Sequence, residues 1–437
     1  VELAVEYLNE NYLLGSNVTL KFSAYDTASA PSNGILALDH AREEFGMFGI
    51  LGCLDDDTTN AVALTANGFY MPQISYGSRA NFLSDPVKYP FLARTIPPYS
   101  AEGEALAKLI NFYGWKHVGI IASGDDYGIG TANRFIENLS EDVKYSSVEM
   151  SPTAVQLDSE MRSLRNSLAR VIVMFPGSTE CARIILKEAY RYHLIGEEFI
   201  WFSGSFASTS KLFVDSYSGE TNQLIKGIGE GLVSVKLKGG YGIHYEEFLD
   251  YWQTLDPAEF PGAGKRYLPP VSAYAFDSMV LMVNNFVEGE FDTLQEFVSS
   301  LKTSAFLGMT GDLLLDDNLD RLAIFDVVNL IDTNEGDGGW VKVGSWSEQF
   351  SDSDSLGFSF TSKIRFFGGS TNPPEPEVRP PVEYWSCSEK QLKTDESGKI
   401  RLDPPGADAE NIHIDYHCDN FIDCKNFSDE SFNCSSS

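Results

Sequence analysis

The sequence lacks long hydrophobic runs and is short of basic residues. No stretch reaches the ~18 consecutive apolar residues that a membrane-spanning helix needs, and the best candidate, 271–287, contains Asp277 and two asparagines. Lys and Arg number 32 against 63 Asp and Glu, which gives a net charge of -31. Because nucleic acids are bound through a basic face, this composition argues against a nucleic-acid partner.

The sequence is also poor in the groups that enzymes use. Its six histidines show no metal-ligand spacing, and it contains no recognisable nucleophile motif and no glycine-rich phosphate loop. The run Asp55-Asp56-Asp57 fits a helix N-terminus better than a catalytic carboxylate pair, since caps and the helix dipole favour acids there. The sequence therefore predicts a protein that is not an enzyme.

What the chain does have is the length and apolar content for large cores. It holds 437 residues, of which 43% are hydrophobic, and this is too long for one ordinary domain. Strand, polar loop and helix alternate through 53–135 and again up to about 231, which is typical of a parallel sheet with crossover helices. In such sheets ligands bind at the carboxyl ends of strands.

The pattern along the chain predicts an α/β protein with two lobes and three crossovers. An alternating segment, Val18 to Tyr25, predicts a strand near the start, and 311–331 reads as an antiparallel hairpin. The proline pair at 97–98 marks the first crossover, because proline cannot continue a helix or donate to a ladder. The other crossovers are expected near Leu232 and Leu307. We assign 1–98 with 235–305 to lobe 1, and 99–234 with 306–345 to lobe 2.

Several motifs, in order, resemble a known family. They are PQISY at 72–76, LSD at 83–85, DDYG at 125–128, AYAFDS at 273–278 and FLGMTG at 306–311 followed by DDNLDR at 316–321. The sequence is similar to the type I periplasmic-binding-protein fold, a two-lobed Venus flytrap. Among its members it resembles most the ligand-binding ectodomains of class C G-protein-coupled receptors of the GABA type B and metabotropic glutamate kind.

The resemblance implies a ligand cleft between the lobes. The hydroxyl positions that hold an amino acid's carboxylate align with Asp56 and Arg79, and the amino-group aspartate aligns with Tyr99. The aromatic position is kept as Tyr127, and the lobe 2 position falls near Ser205. With their neighbours Asp57 and Ser78, these residues are our predicted ligand-binding set. Alternatively, Asp56 and Arg79 pair with each other and the site is orphaned.

The positions that hold the carboxylate and the amino group of an amino acid in those receptors are changed in this sequence. We therefore expect that it does not bind glutamate, glycine or GABA as those receptors do. A ligand with a cationic or donor-rich group near Asp56 and an anionic or acceptor group near Arg79 would fit.

The end of the chain has a different composition. A Pro/Ser/Gly-rich linker is predicted at 346–385, followed by a cysteine-rich module at 386–437. The run from Cys418 to Glu430 resembles part of a low-density-lipoprotein receptor class A repeat. The resemblance implies Ca²⁺ ligands at Asp419, Asp423, Asp429 and Glu430, and disulfides Cys387–Cys424 and Cys418–Cys434. A disulfide-held acidic loop without Ca²⁺ is the alternative. No cofactor is expected in the lobes.

Taken with its family, the sequence predicts a ligand-sensing ectodomain on the extracellular side of the plasma membrane. Glycosylation motifs at Asn17, Asn138, Asn426 and Asn433 are compatible with secretion. We expect a small-molecule ligand, a membrane region outside this fragment, a first strand lost before Val1, and a homo- or heterodimer through lobe 1. The alternatives are a solute-binding protein of a transport system and the ectodomain of a receptor guanylate cyclase.

Overall fold

The computed structural model of the chain describes residues 2–11, 19–44, 47–214, 222–266, 268–288, 293–331 and 339–373, together with four short strands near the C-terminus. The chain divides into two compact units, Val1–Pro374 and Glu375–Ser437. The first is a mixed α/β unit with a large central sheet, which fits the predicted fold class.

The helices among the described residues of the first unit alternate with strands over most of its length. The helices are α1 Glu2–Asn11, α2 Pro31–Glu44, α3 Asp56–Asn67, α4 Ser100–Tyr113, α5 Asp126–Glu137, α6 Asp158–Ser167, α7 Thr179–Arg191, α8 Gln223–Ile228, α9 Ile243–Thr254, α10 Pro270–Glu288 and α11 Leu294–Leu301. The strands are β1 Ile50–Leu51, β2 Gln73–Ser75, β3 Leu92–Arg94, β4 His117–Ser123, β5 Lys144–Met150, β6 Val171–Phe175, β7 Ile200–Ser203, β8 Val233–Leu237, β9 Phe306–Gly308, β10 Gly311–Leu313, β11 Ile324–Leu330, β12 Trp340–Ser347 and β13 Phe358–Phe360.

The large sheet has eight strands in the order β13-β12-β11-β8-β7-β6-β4-β5. From β5 to β8 all neighbours are parallel, with Val118 opposite both Tyr145 and Val171. From β8 to β13 the neighbours are antiparallel. Helices cover both faces of a parallel sheet, so its central strands are apolar throughout. This is seen in β6, whose sequence VIVMF is buried at every position.

A smaller parallel sheet, β1-β2-β3, lies apart from the large one. We call this sheet with α1–α3, α9–α11 and the β9–β10 hairpin the small-sheet side, and the eight-stranded sheet with α4–α8 the large-sheet side. Each buried hydrophobic cluster in the described part of the chain draws on one side only. The chain passes between the sides at 95–99, 238–242 and 314–323. That the two sides move as separate lobes stays a prediction.

Buried charges hold the connections between the two sides. Arg94 Nε lies 2.5 Å from Asp320 Oδ1, and the same guanidinium donates to Ala80 O at 2.8 Å. Asp277 accepts the backbone N–H groups of Met309 at 2.7 Å and Thr310 at 3.0 Å. These contacts give a physical role to the two motifs at 273–278 and 306–321. Asp320 lies in the third passage itself, and Asp277 fixes the turn at 309–310 just before that passage.

Two local predictions need correction. Residues 19–25 form no strand, because the peptide groups of Leu20 bond to the side-chain amide of Asn9 instead of to a neighbouring strand. The antiparallel hairpin spans β9 and β10, with Gly308 opposite Gly311, while β11 pairs with β12 and β8. Within 311–331 an antiparallel bridge joins Leu315 and Arg321, so a short turn at 314–322 stands where the longer hairpin was expected.

The predicted linker overlaps the large sheet. β13 pairs with β12, and Phe358, Ile364 and Phe366 are buried in the core of the large-sheet side. The first compact unit accordingly extends to Pro374. Serine, aspartate and glycine dominate the composition of this segment, and its few anchoring side chains are not visible in a composition argument.

The second unit is described only by two antiparallel strand pairs. Tyr384–Ser386 pairs with Asn411–His413, and Lys393–Thr394 pairs with Ile400–Arg401. The predicted Ca²⁺ ligands Asp419, Asp423, Asp429 and Glu430 and the predicted disulfides Cys387–Cys424 and Cys418–Cys434 lie outside the described residues. Within the described parts of the chain, no helix is both long and apolar enough to cross a membrane.

Candidate ligand-binding site

Three helix N-termini meet where the two sides touch, and each carries acidic residues. Asp55 caps α3 by accepting the N–H of Thr58 at 2.9 Å, and Asp125 caps α5 by accepting the N–H of Gly128 at 2.8 Å. The third helix, α4, has Glu102 in its first turn. The positive end of a helix dipole stabilises carboxylates at these positions, so the sequence places negative charge here without a ligand.

Asp56 lies in the first turn of α3 and points at the loop after β2. One of its carboxylate oxygens accepts the backbone N–H of Arg79 at 2.7 Å and of Ala80 at 2.9 Å. Burial raises the pKa of Asp56 above its usual range, although these two donors and the charge of Arg94 act in the opposite direction. The carboxylate therefore fixes the backbone of this loop and does not neutralise the side chain of Arg79.

The guanidinium of Arg79 pairs with Glu102, and the alternative of an Asp56–Arg79 side-chain pair is wrong. Nη2 of Arg79 lies 2.9 Å from Oε1 of Glu102, an ion pair without hydrogen-bond geometry, and Nε donates to Pro97 O at 2.9 Å. The guanidinium also stands over the ring of Tyr99, 4.5 Å from its centroid. Arg79 is thus held in place on three sides and is only 7% exposed.

Glu102 is the centre of the site and is fully buried. Its Oε2 accepts the hydroxyl of Tyr127 at 2.9 Å and the backbone N–H of Ser205 at 2.8 Å. Its Oε1 accepts the hydroxyl of Ser205 at 2.7 Å and faces Arg79. A buried carboxylate is tolerated only when it is paired and hydrogen-bonded. Here Tyr127 and Ser205 of the large-sheet side supply the hydrogen bonds, and Arg79 of the small-sheet side supplies the opposite charge.

Aromatic rings line one wall of the site. Tyr99 and Tyr127 meet edge to face at 5.1 Å between centroids, and Phe206 contacts both rings at 5.8 and 4.7 Å. Burial, followed by the adjacent carboxylate of Glu102, raises the pKa of Tyr127 well above its usual value. Tyr127 therefore stays protonated and can donate to Glu102. Gly204 is required behind it, since a Cβ there would lie 1.9 Å from the Tyr127 hydroxyl oxygen.

Asn81 ties the two sides together beside this cluster. Its backbone N–H donates to Oδ2 of Asp126 at 2.9 Å, and its side-chain amide donates to the carbonyl of Asp126 at 3.0 Å. Its Oδ1 accepts the N–H of Ser100 at 2.7 Å. Because Asn81 belongs to the small-sheet side and the other two residues to the large-sheet side, these bonds exist only while the sides touch.

The structure brings together five of the seven predicted residues. Asp56 and Arg79 act electrostatically on the Tyr99 hydroxyl, as do Glu102 and Asp126. Tyr127 meets the ring of Tyr99, and Ser205 joins the cluster through its hydrogen bonds to Glu102. The remaining two do not join this cluster. Asp57 is exposed on α3, and the hydroxyl of Ser78 bonds to Thr59 and to Asp55 O.

Sequence reasoning missed Glu102. A glutamate in the first turn of a helix is so common that its position alone carries no signal. Its place directly after the Pro97-Pro98 crossover was the available clue, because a helix that starts at a crossover points its N-terminus into the cleft. Over the described residues, no three His, Cys, Asp or Glu side chains are grouped to hold a metal ion.

Comparison with known proteins agrees with this architecture. The model of the receptor family ligand binding region matches residues 1–333. The chain belongs to this family. Relatives include the human extracellular calcium-sensing receptor, 28% identical over 271 residues, or 56% of this chain and 24% of the relative. Human taste receptor type 1 member 1 is 28% identical over 222 residues, covering 46% and 26%. The G-protein coupled receptor family C group 6 member A of Carassius auratus is 25% identical over 233 residues, covering 48% and 26%.

These relatives confirm the predicted class C resemblance, and the narrower GABA type B or metabotropic glutamate likeness stays a prediction. The family and these relatives are receptors and not enzymes, so the predictions of a receptor's ligand-sensing region and of a non-enzymatic protein are confirmed. The chain spans about a quarter of the length of the relatives it matches.

Proposed function

We propose that this chain is the extracellular ligand-sensing part of a class C-like membrane receptor, and that it binds a small molecule carrying a cationic or donor-rich group. The observation that supports the ligand class is the charge of the candidate site. Burial raises the pKa of Tyr99 most, Asp56, Glu102 and Asp126 raise it further, and Arg79 lowers it. Arg94 also acts on Asp56 but is paired with Asp320. Three carboxylates against one cation favour a cationic guest, and the ring of Tyr99 adds a face on which a cation can stack.

The mechanism follows from where these groups lie. Asp56 and Arg79 come from the small-sheet side, and Tyr127 and Ser205 from the large-sheet side. A ligand that touches groups of both sides binds the closed arrangement better than an open one and shifts the population toward closure. In this proposal closure is the signal that a membrane region outside the chain receives. Asp56 would hold the cationic group, while Tyr99 and Tyr127 would pack against the body of the ligand.

The test is a thermal-unfolding screen of the purified chain with spermidine, L-arginine, L-glutamate and succinate. A ligand at a hundred times its dissociation constant stabilises the native state by about 2.7 kcal/mol, which is a measurable rise in Tm. We expect a rise with spermidine or L-arginine and none with succinate. In Asp56→Asn the rise should disappear, whereas it should persist in Asp57→Asn, the exposed neighbour on the same helix turn.

A rise of equal size in Asp56→Asn would place the binding elsewhere. Stabilisation by succinate without any by the two cations would contradict the proposed ligand class.

We further propose that 386–437 is a small extracellular module with the disulfides Cys387–Cys424 and Cys418–Cys434 and a Ca²⁺ bound by Asp419, Asp423, Asp429 and Glu430. The support is the residue pattern and the preference of Ca²⁺ for several oxygen ligands. Peptide mapping of the unreduced chain tests the pairing, and a Cys387–Cys418 link would refute it. Dimerisation through lobe 1 belongs to the same proposal.

A further inference from the structure

We propose that Glu102 is a built-in occupant of an anion position at Arg79, so that the closed arrangement is already favoured without a ligand. This inference rests on the proposed function, since it assigns a regulatory role to the same site. It states that the chain supplies, from α4, the carboxylate that an external anion would otherwise bring to Arg79.

The carboxylate of Glu102 is held in place by residues of the large-sheet side, to which Glu102 itself belongs. Tyr127 and Ser205 both belong to the large-sheet side, and together they donate three hydrogen bonds of 2.7 to 2.9 Å to the carboxylate. The carboxylate is therefore oriented before Arg79 arrives. What is left for the other side is one face of Oε1, where Nη2 of Arg79 lies 2.9 Å away.

Arg79 is held in place by contacts of its own, to Asp56 and to the first crossover. Its Nε donates to Pro97 O, and its backbone N–H is fixed by Asp56. With Arg79 only 7% exposed in the closed arrangement, a counter-ion is essential, because an unpaired buried charge is strongly destabilising. Glu102 supplies that counter-ion, and removal of its charge makes closure unfavourable.

Glu102 competes with external anions for Arg79. An external carboxylate gains nothing at Arg79 while Glu102 stays there, so it must displace Glu102 against three hydrogen bonds. A ligand that leaves the pair intact and binds the remaining acids has no such competition. Glu102 therefore acts as a specificity-determining residue that selects against small anions and in favour of cations.

Hydrogen–deuterium exchange of the full chain without ligand tests this inference. The N–H groups of Asn81 and Ser100 bond across the two sides, so their protection reports closure. We expect slow exchange at both in the wild type and exchange faster by about tenfold or more in Glu102→Gln, because the buried guanidinium of Arg79 loses its counter-ion. Protection of β6 should be unchanged, which shows that the fold is intact.

Two variants serve as checks. Arg79→Gln breaks the same pair from the other side and should give the same fast exchange at Asn81. Glu104→Gln is the matched control, because Glu104 lies on the same helix but pairs with Arg134 of α5 within the large-sheet side. Its exchange at Asn81 should equal that of the wild type.

Acetate supplies a second readout. Glu102→Ala leaves the space of the missing carboxylate, so acetate should restore slow exchange at Asn81 in that variant. In Glu102→Gln the space is filled, and acetate should have no effect. Small-angle scattering should show the same ranking, with a larger radius of gyration for both variants and a return to the wild-type value only for Glu102→Ala with acetate.

Equal exchange at Asn81 in the wild type and Glu102→Gln, whether both slow or both fast, would overturn the inference, and so would rescue of Glu102→Gln by acetate. Failure here is distinct from failure of the proposed ligand class, because these measurements contain no receptor ligand. An open wild type that binds spermidine would retain the proposed function and remove the built-in occupant.

Discussion

Replacement of Glu348 by glutamine should change how the stability of the first unit depends on pH. Glu348 follows β12, and its carboxylate accepts the N–H of Ala323 at 2.7 Å in the segment that leads into β11. Burial is the main cause that raises the pKa of Glu348 to about 7, with Glu104 and Asp316 adding to the rise and the Ala323 N–H and Arg134 opposing it. This carboxyl therefore titrates near neutral pH.

The sign of the effect follows from the raised pKa. Glu348 has a pKa of 4.5 as an unperturbed carboxyl and about 7 in the folded protein, so between these values the folded state binds the proton more tightly. Stability from this group is fully present below pH 4.5 and is lost as the pH rises to 7. At 1.36 kcal/mol per unit the shift amounts to about 3 kcal/mol, and partial exposure of the side chain reduces the expected loss to about 2 kcal/mol.

The glutamine variant keeps an acceptor for Ala323 and cannot ionise. We expect Glu348→Gln to match the wild type near pH 4.5 and to exceed its free energy of unfolding by about 2 kcal/mol at pH 8. The assay is urea denaturation followed by circular dichroism at four pH values from 4.5 to 8. Glu230→Gln, at an exposed position, is the control and should show no such difference. A gap between variant and wild type that is the same at every pH would refute the reasoning.

Two further predictions concern buried contacts. Gly204→Ala should displace the Tyr127 hydroxyl and lower the free energy of unfolding by about 1–3 kcal/mol, as overpacking does. Gly227→Ala is the control and should not destabilise the protein, because a Cβ there meets open space. Equal thermal-unfolding midpoints for the two variants would count against the site geometry. Arg94→Leu should lower the free energy of unfolding by about 3–5 kcal/mol, because it leaves Asp320 buried and unpaired. Lys116→Met removes an exposed ion pair and should lower it by less than about 1 kcal/mol in the same urea denaturation assay. Similar losses in the two variants would contradict a stabilising role for the buried pair.

The large parallel sheet was predictable because its strands carry an unambiguous signal. Runs such as Val171–Phe175 are apolar at every position and are followed by polar loops and helices of regular length. The antiparallel strands at the sheet's edge lacked this signal. β13 lies in a segment of serine, aspartate and glycine, and only its packing against β12 and the core shows that it is a strand.

The sequence placed five residues that lie close together in the structure, but it did not predict which side chains pair with each other. Aligned motifs located Asp56, Arg79 and Tyr127 because loop positions at strand ends are set by the topology. They did not reveal that Arg79 pairs with Glu102, since the pairing depends on the angle between two helices and a loop from opposite sides. The direction of a side chain within a cluster of charges depends on how the surrounding elements pack, and this packing cannot be predicted from a single sequence.

The arrangement of charges determines how the closed and open arrangements are balanced before a ligand binds. Each acid in the site is already satisfied by the chain, Asp56 by two backbone N–H groups, Asp126 by Asn81 and Glu102 by Tyr127, Ser205 and Arg79. Closure therefore needs no ligand to compensate buried charge, and a ligand shifts the equilibrium only by its preference for the closed arrangement over the open one. Under the proposed function the Arg79–Glu102 pair sets the starting population, so variants at either position should alter the basal signal more than the maximal response to a saturating ligand.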